Sequence, residues 1–250
     1  MKVRLNITGP PRQPVFVYSI ASINVLLWIL LEVSGNSTNP SSLRKFGAID
    51  SYLIWSGEYW RLASAIFLHV GASHLAINSI SLVIMGGLTE RLYGHRNFIS
   101  IFLVTGIIGS TASYMNIENG VVGAGASGAI FGCLGSLVSF FYIRKETLGK
   151  SGKQTLNGLI ILALVNLAFG FVIPAIDNWA HIGGFIAGIS SGYFLAYHPK
   201  TAQLPHSLQL PNIGQKARLS LLIFFSVSII ISLLAIGNSL YEPAKAFPVF

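Results

Sequence analysis

Charge is what this sequence lacks. Only 10% of its 250 residues are Asp, Glu, Lys or Arg and 52% are hydrophobic, whereas a soluble domain carries roughly 25% charged residues. That is the balance of a polytopic membrane protein. Cysteine is almost missing as well: Cys133 stands alone, which excludes a disulfide and a cysteine-based metal cluster and leaves it as a small packing residue inside an apolar run. The net charge of +8 does not indicate nucleic acid, because the basic residues fall in short loops between apolar runs, where they report topology. No small-residue cleavage site follows Leu31, so the stretch that begins with Lys2, Arg4 and Arg12 reads as a first membrane anchor and not as a signal peptide.

Seven apolar segments can be counted: Val15–Leu31, Gly71–Leu88, Phe98–Tyr114, Ser127–Tyr142, Leu156–Val172, Trp179–Tyr197 and Leu219–Ile236. The expected fold is therefore all-α, a bundle of membrane helices. Crossing a bilayer takes roughly 20 helical residues, and the fourth segment is short by that measure. With the Gly120–Gly125 loop ahead of it, it is expected to start below the membrane surface, where irregular backbone survives only beside a watery cavity or inside protein. Assigning Lys and Arg to alternate sides puts 12 on one side and four, Arg44, Lys45, Arg61 and Lys245, on the other. By the excess of positive charge on the cytoplasmic side, the N-terminus is cytoplasmic and the start of the fourth segment faces outward. The long external stretch from Glu32 to Val70 carries Tyr52, Trp55, Tyr59 and Trp60 and is expected to lie partly on the membrane interface.

Polar residues within the apolar segments need a reason to be there. Ser127 stands where the glycine-rich turn Gly123-Ala124-Gly125-Ala126-Ser127-Gly128 becomes a helix, a place where free N–H groups favour developing negative charge. His181, in Asp177-Asn178-Trp179-Ala180-His181-Ile182-Gly183-Gly184, lies on or beside a face with Gly184, Gly188 and Gly192. The fourth segment offers Gly128, Gly132 and Gly135 in return. Packed through these glycines, the two helices would bring Ser127 and His181 together as a nucleophile and its base. His74 and Asn78, four apart on one helical face, could with the Ser127 N–H form an oxyanion hole, whose donors are worth about 3 kcal/mol each. A zinc site at His69, His74 and His181 is the competing reading, but no carboxylate or cysteine lies at suitable spacing. No metal and no cofactor are expected. His69 is assigned to anchoring the loop at the helix entrance, and His95, His198 and His206 to solvated cytoplasmic loops.

Together these residues carry a resemblance. Trp60-Arg61-Leu62, His69, His74 and Asn78, Gly125-Ala126-Ser127-Gly128 and Ala180-His181-Ile182-Gly183-Gly184 closely resemble, in order, the motifs of the rhomboid intramembrane serine proteases. The resemblance implies a Ser127 nucleophile activated by His181 without an aspartate, oxyanion donors at His74 and Asn78, and single-span membrane proteins cut near the outer boundary as substrates. It implies an aromatic ring packed on the histidine one turn after the serine; this chain has Phe131 where tyrosine is frequent. Glu90 and Arg91 resemble the family's acidic–basic pair, and Arg61 its Trp-Arg motif, both expected to support structure. Gly125, Phe131, His69, Gly184 and Gly188 complete the supporting set.

The implied organisation is a cytoplasmic segment 1–14, a six-helix core 15–198, a cytoplasmic linker 199–218, and a seventh helix with an external tail, 219–250. The expected location is a bacterial cell (inner) membrane, with the lipid bilayer and membrane-protein substrates as partners. Asp177, one turn before His181 and nearer water, is poorly aimed for a triad. A non-proteolytic binder or chaperone on the same scaffold is the alternative, and both Ser127 and His181 speak against it. A small transporter would show similarity between its halves or a charge at mid-membrane, and neither is visible.

Overall fold

In the computed structural model the described residues are 13–118, 120–173, 175–196 and 215–241. Lys2, Arg4, Arg12, His198, Lys200, His206 and Lys245 lie outside them. Among the described residues every long element is a helix. Five helices are long and apolar enough to cross a membrane: Val15–Gly35, Gly71–Tyr93, His95–Tyr114, Ser127–Val172 and Ala217–Leu240.

The first of these, α1 (Val15–Gly35), follows Pro14 and has no side-chain cap of its own. Its cap comes from a distant carboxylate: Glu90 accepts from the N–H of Phe16 at 3.1 Å and of Val17 at 2.9 Å. The same carboxylate is bonded by His95 Nδ1 at 2.5 Å and is 0% exposed. His95 is thus not simply solvated as the sequence suggested, because it opens a helix and completes this buried cluster. Arg91 is exposed, so the partners of Glu90 are a helix start and an imidazole.

Between α1 and the next membrane helix the chain folds into three short helices, α2 (Pro40–Phe46), α3 (Ser51–Trp55) and α4 (Arg61–Ser64). Local chemistry sets them: Asn39 accepts from Ser41 N ahead of Pro40, Gly47 closes α2 at φ +98°, and Asp50 accepts from Leu53 N. Arg61 knits the segment together. It is buried, donates through Nη1 to the carbonyls of Arg44 and Ala48, and pairs with Glu58.

The second membrane helix comprises α5 (Gly71–Ser81), one wide turn (Leu82–Gly86) and α6 (Gly87–Tyr93). It is followed by α7 (His95–Tyr114). The apolar core gathers Val17 of α1, Leu82 of the wide turn, Tyr93 of α6, Phe98 and Phe102 of α7, and Ala129, Cys133 and Phe140 of the helix that comes next. The fourth and fifth apolar segments form two helical arms, together α8 (Ser127–Val172), that join at Gly149, whose φ of +60° and ψ of −143° leave the helical region. Then come α9 (Asn178–Ala196) and α10 (Gln215–Leu240).

Helices α8 and α9 meet backbone to backbone. A Cβ on Gly184 would lie 2.0 Å from Gly128 O, one on Gly188 2.1 Å from Gly132 O, and one on Gly192 2.6 Å from Ser136 Cα. The partners advance in step, so the helices run parallel and both begin at the same end of the bundle. Gly135 belongs to this seam but faces the backbone of Phe185 and Ile189. At the far end Tyr93 Oη donates to Ser136 O at 2.7 Å and lies 3.2 Å from Gly192 O, tying α6 to the pair.

Gly188→Ala is expected to destabilise the protein by about 1–3 kcal/mol, because a methyl group would be driven into a carbonyl. Gly158→Ala, where a Cβ meets open space, should leave stability unchanged or raise it by up to about 1 kcal/mol. Unfolding in mixed micelles measures both.

Candidate active site

Backbone bonds fix the approach to Ser127. Ile49 and Gly123 pair in both directions, at 2.8 and 3.0 Å, and Gly125 N donates to Ala65 O at 3.0 Å. Arg44 adds a side-chain tie, with Nε on Asp50 at 2.6 Å and Nη2 on Gly120 O at 2.7 Å. The loop before the serine is therefore bonded to the segment between α1 and α5 at several points. Gly125 has φ +147°, in the region that favours glycine. A Cβ placed on it would lie 2.8 Å from His74 Cε1, 3.0 Å from His74 Nε2 and 3.8 Å from Ser127 Oγ. The His74 ring and the serine hydroxyl thus converge on one bare α-carbon.

Ser127 is the first residue of α8, so its N–H lies among the four at a helix start that have no carbonyl behind them. His74 and Asn78 rise on α5 from the same end. Asn78 is buried and donates through Nδ2 to His74 O at 3.0 Å; an amide nitrogen has a second hydrogen still to give. His69 is completely buried, lies edge-on to His74 with ring centroids 5.3 Å apart, and receives the N–H of Ala126 at 3.5 Å.

His181 sits in the first turn of α9, which Asp177 caps by accepting from Ala180 N at 2.9 Å. Asp177 thus serves as the cap of the helix that carries His181, and no hydrogen bond joins its carboxylate to the imidazole among the described residues. The imidazole is buried and lies flat on Phe131, with ring centroids 4.2 Å apart and an angle of 12° between planes. Phe131 is one turn beyond Ser127 on α8. No hydrogen bond joins Ser127 to His181 among the described residues, and His181 Nδ1 is without a partner. Such bonds are often long before a substrate is bound. What joins the two residues is the α8–α9 seam, where Gly128 faces Ala180 O, and the Phe131 ring. Among the described residues no three His, Cys, Asp or Glu side chains are placed to hold a metal ion.

Sequence reasoning missed the bonds from Ile49, Ala65 and Arg44 to the serine loop. Backbone pairing between two irregular segments leaves no side-chain pattern that could reveal it.

A serine at a helix start, a buried histidine stacked on the ring one turn beyond it, and a second histidine against the glycine before it are set in a bundle of apolar, membrane-capable helices. Residues 56–198 match the family described as the Rhomboid domain, and the chain belongs to the rhomboid family. It is 42% identical over 176 residues to rhomboid protease GluP of Bacillus subtilis, covering 70% of this chain and 34% of that one. To RHOMBOID-like protein 5 of Arabidopsis thaliana it is 39% identical over 160 residues, 64% of this chain and 51% of that one. To RHOMBOID-like protein 2 of the same plant it is 32% identical over 200 residues, 80% of this chain and 62% of that one. The chain thus spans between a third and two thirds of the length of these relatives.

Burial and, secondarily, the neighbouring His74 hold the pKa of His69 down at about 4, from an ordinary 6.5. Between those values the unfolded chain takes up a proton that the folded protein refuses, so the stability present above 6.5 drains away as pH falls towards 4. Relative to His69→Gln, the parent should lose up to about 3 kcal/mol across that window, read from unfolding curves in detergent at several pH values.

Proposed function

We propose that this protein is an intramembrane serine endopeptidase that cuts single-span membrane proteins near the outer boundary of the bilayer. The observation that carries the reading is the convergence at Gly125, where the Ser127 hydroxyl and the His74 ring close on one unsubstituted α-carbon. The Phe131–His181 stack one turn along α8 supports it. The relative from Bacillus subtilis is named a rhomboid protease.

In the proposed reaction His181 takes the proton of Ser127 as Oγ bonds to the scissile carbonyl carbon. The oxyanion is held by the Ser127 N–H, His74 and the free N–H of Asn78. The C–N bond then breaks, His181 gives its proton to the leaving amine, and water from the outer face releases the acyl group by the same route in reverse. A peptide bond within a membrane helix is shielded by its own hydrogen bonds, so the substrate must unwind locally, and small or helix-breaking residues near the cut favour that.

On this reading residues 15–198 are the catalytic core of six spans, with α8 supplying two of them, and α10 is a seventh beyond the cytoplasmic linker 199–218, whose last four residues already form the helix's first turn. The N-terminus faces the cytoplasm and Ser127 the outer side, in keeping with the charge asymmetry of the loops. A bacterial cell membrane is the proposed location. The Bacillus relative supports it, and the Arabidopsis relatives show that the family also occurs in plants.

Purified protein in liposomes should cleave a generic single-span reporter, and Ser127→Ala or His181→Ala should reduce cleavage by a factor on the order of 10³ or more. A fluorophosphonate should label the parent at Ser127 and leave His181→Ala unlabelled. Cleavage by Ser127→Ala at the parental rate would overturn the proposal.

A further inference from the structure

The helix that the proposed core does not need makes contact with the segment that shapes the site. Near the outer end of α10, Asn238 bridges two tyrosines: Tyr114 Oη donates to its Oδ1 at 2.5 Å, and its Nδ2 donates to Tyr59 Oη at 3.1 Å. Tyr114 ends α7, whereas Tyr59 belongs to the segment between α3 and α4. Gly237 lets the helix approach, since a Cβ there would lie 2.8 Å from Tyr114 Cε1. One turn further, Tyr241 packs on Trp55 with ring centroids 5.5 Å apart. Leu234 packs on the buried cluster of Ile49, Ile54, Leu62, Ala65 and Tyr114.

Two members of that cluster lead straight to the serine. Ile49 pairs with Gly123, and Ala65 accepts from Gly125. Gly125 is the residue on which His74 and Ser127 converge. A short path therefore runs from α10 through Tyr59, whose carbonyl accepts from Leu62 N at 3.1 Å, into that cluster and on to the loop before the nucleophile. Tyr59 and Trp55 are both exposed, so on its outer flank this segment has the end of α10 as its brace.

We propose that Asn238 is a positioning residue for the reaction: α10 braces the α3–α4 segment through the Asn238–Tyr59 bond, and that brace keeps the Ser127 loop aligned with its oxyanion donors. The inference rests on the proteolytic reading above. Losing the brace misaligns the site in the transition state more than it weakens substrate capture, so the effect falls on kcat and not on KM.

The test is cleavage of the single-span reporter in liposomes by Tyr59→Phe, Asn238→Ala, the double variant and Asn238→Asp. Tyr59→Phe should lower kcat about fivefold, the effect of one net hydrogen bond, and Asn238→Ala, which also loses the bond to Tyr114, at least as much, each with KM within about twofold of the parent. Labelling of Ser127 by the fluorophosphonate should slow in parallel. The double variant should be no slower than Asn238→Ala, because both changes cut the same link. Asn238→Asp should keep the parental rate, since both tyrosine hydroxyls can donate to a carboxylate. Parental kinetics in Tyr59→Phe and Asn238→Ala, additive losses in the double variant, or a loss confined to KM would each overturn the inference. Ser127-dependent cleavage by the parent separates that outcome from failure of the proteolytic reading, in which Ser127→Ala would match the parent.

Discussion

Everything about the site depends on how closely two backbones can approach. Inside a bilayer there is no hydrophobic drive to push helices together, because lipid chains are as apolar as leucine, and association relies on contact over small residues. Here Gly184, Gly188 and Gly192 of α9 lie on Gly128, Gly132 and Ser136 of α8 with no room for a methyl group. The register of the seam follows from this, since any slip would set a side chain against a carbonyl. Once the register is set, the first turns of both helices are level, and His181 arrives beside the ring that follows Ser127 by one turn. Phe131 then holds the imidazole flat. Glycine spacing, not a bond between the two residues, is what brings them to one place.

A second layer of constraint is polar and lies outside the helices. The loop leading to Ser127 has no regular structure, yet its N–H and carbonyl groups are engaged by Ile49, Ala65 and Arg44. Irregular backbone at this depth is tolerable only when its groups are satisfied in that way. The segment between α1 and α5 is held in turn by buried Arg61, which spans Glu58, Arg44 and Ala48. The serine loop and this segment thus complete one another.

Much of this could be read from the amino acids in order. Gly71 opens α5 and Ser127 opens α8 at the residues expected, because glycine-rich turns and apolar runs are local signals. The facing stripes were legible too, since four-residue spacing maps directly onto a helical face. Gly192, however, meets Ser136, and Gly135 meets the backbone of Phe185 and Ile189; the exact partner within a stripe depends on axial offset, which spacing alone leaves open. The fourth and fifth segments were legible as two, since basic residues break the apolar run between them, and the backbone does leave the helical region at Gly149; only its position between Leu148 and Lys150 was left open. Glu90 supports structure as expected, but its partners, and the place of His95, were not legible. The partners of Glu90 are the N–H groups of a helix more than 70 residues earlier, a backbone donor leaves no mark in sequence, and His95 is drawn in through Glu90.

That last cluster bears on how the chain is assembled. Helix α1 is made well before α6, and among the described residues no side chain close to it in sequence caps its start. Its carboxylate lies 74 residues further along from Phe16 and 73 from Val17, on the helix that follows it across the membrane. A newly made α1 must therefore leave its first N–H groups to water or lipid headgroups until that second helix has been synthesised and threaded back. The early spans cannot each be finished independently, one after another. The first is completed by the second, so this pair becomes a closed unit only when the ribosome has passed Glu90 and His95, with the serine still to be made.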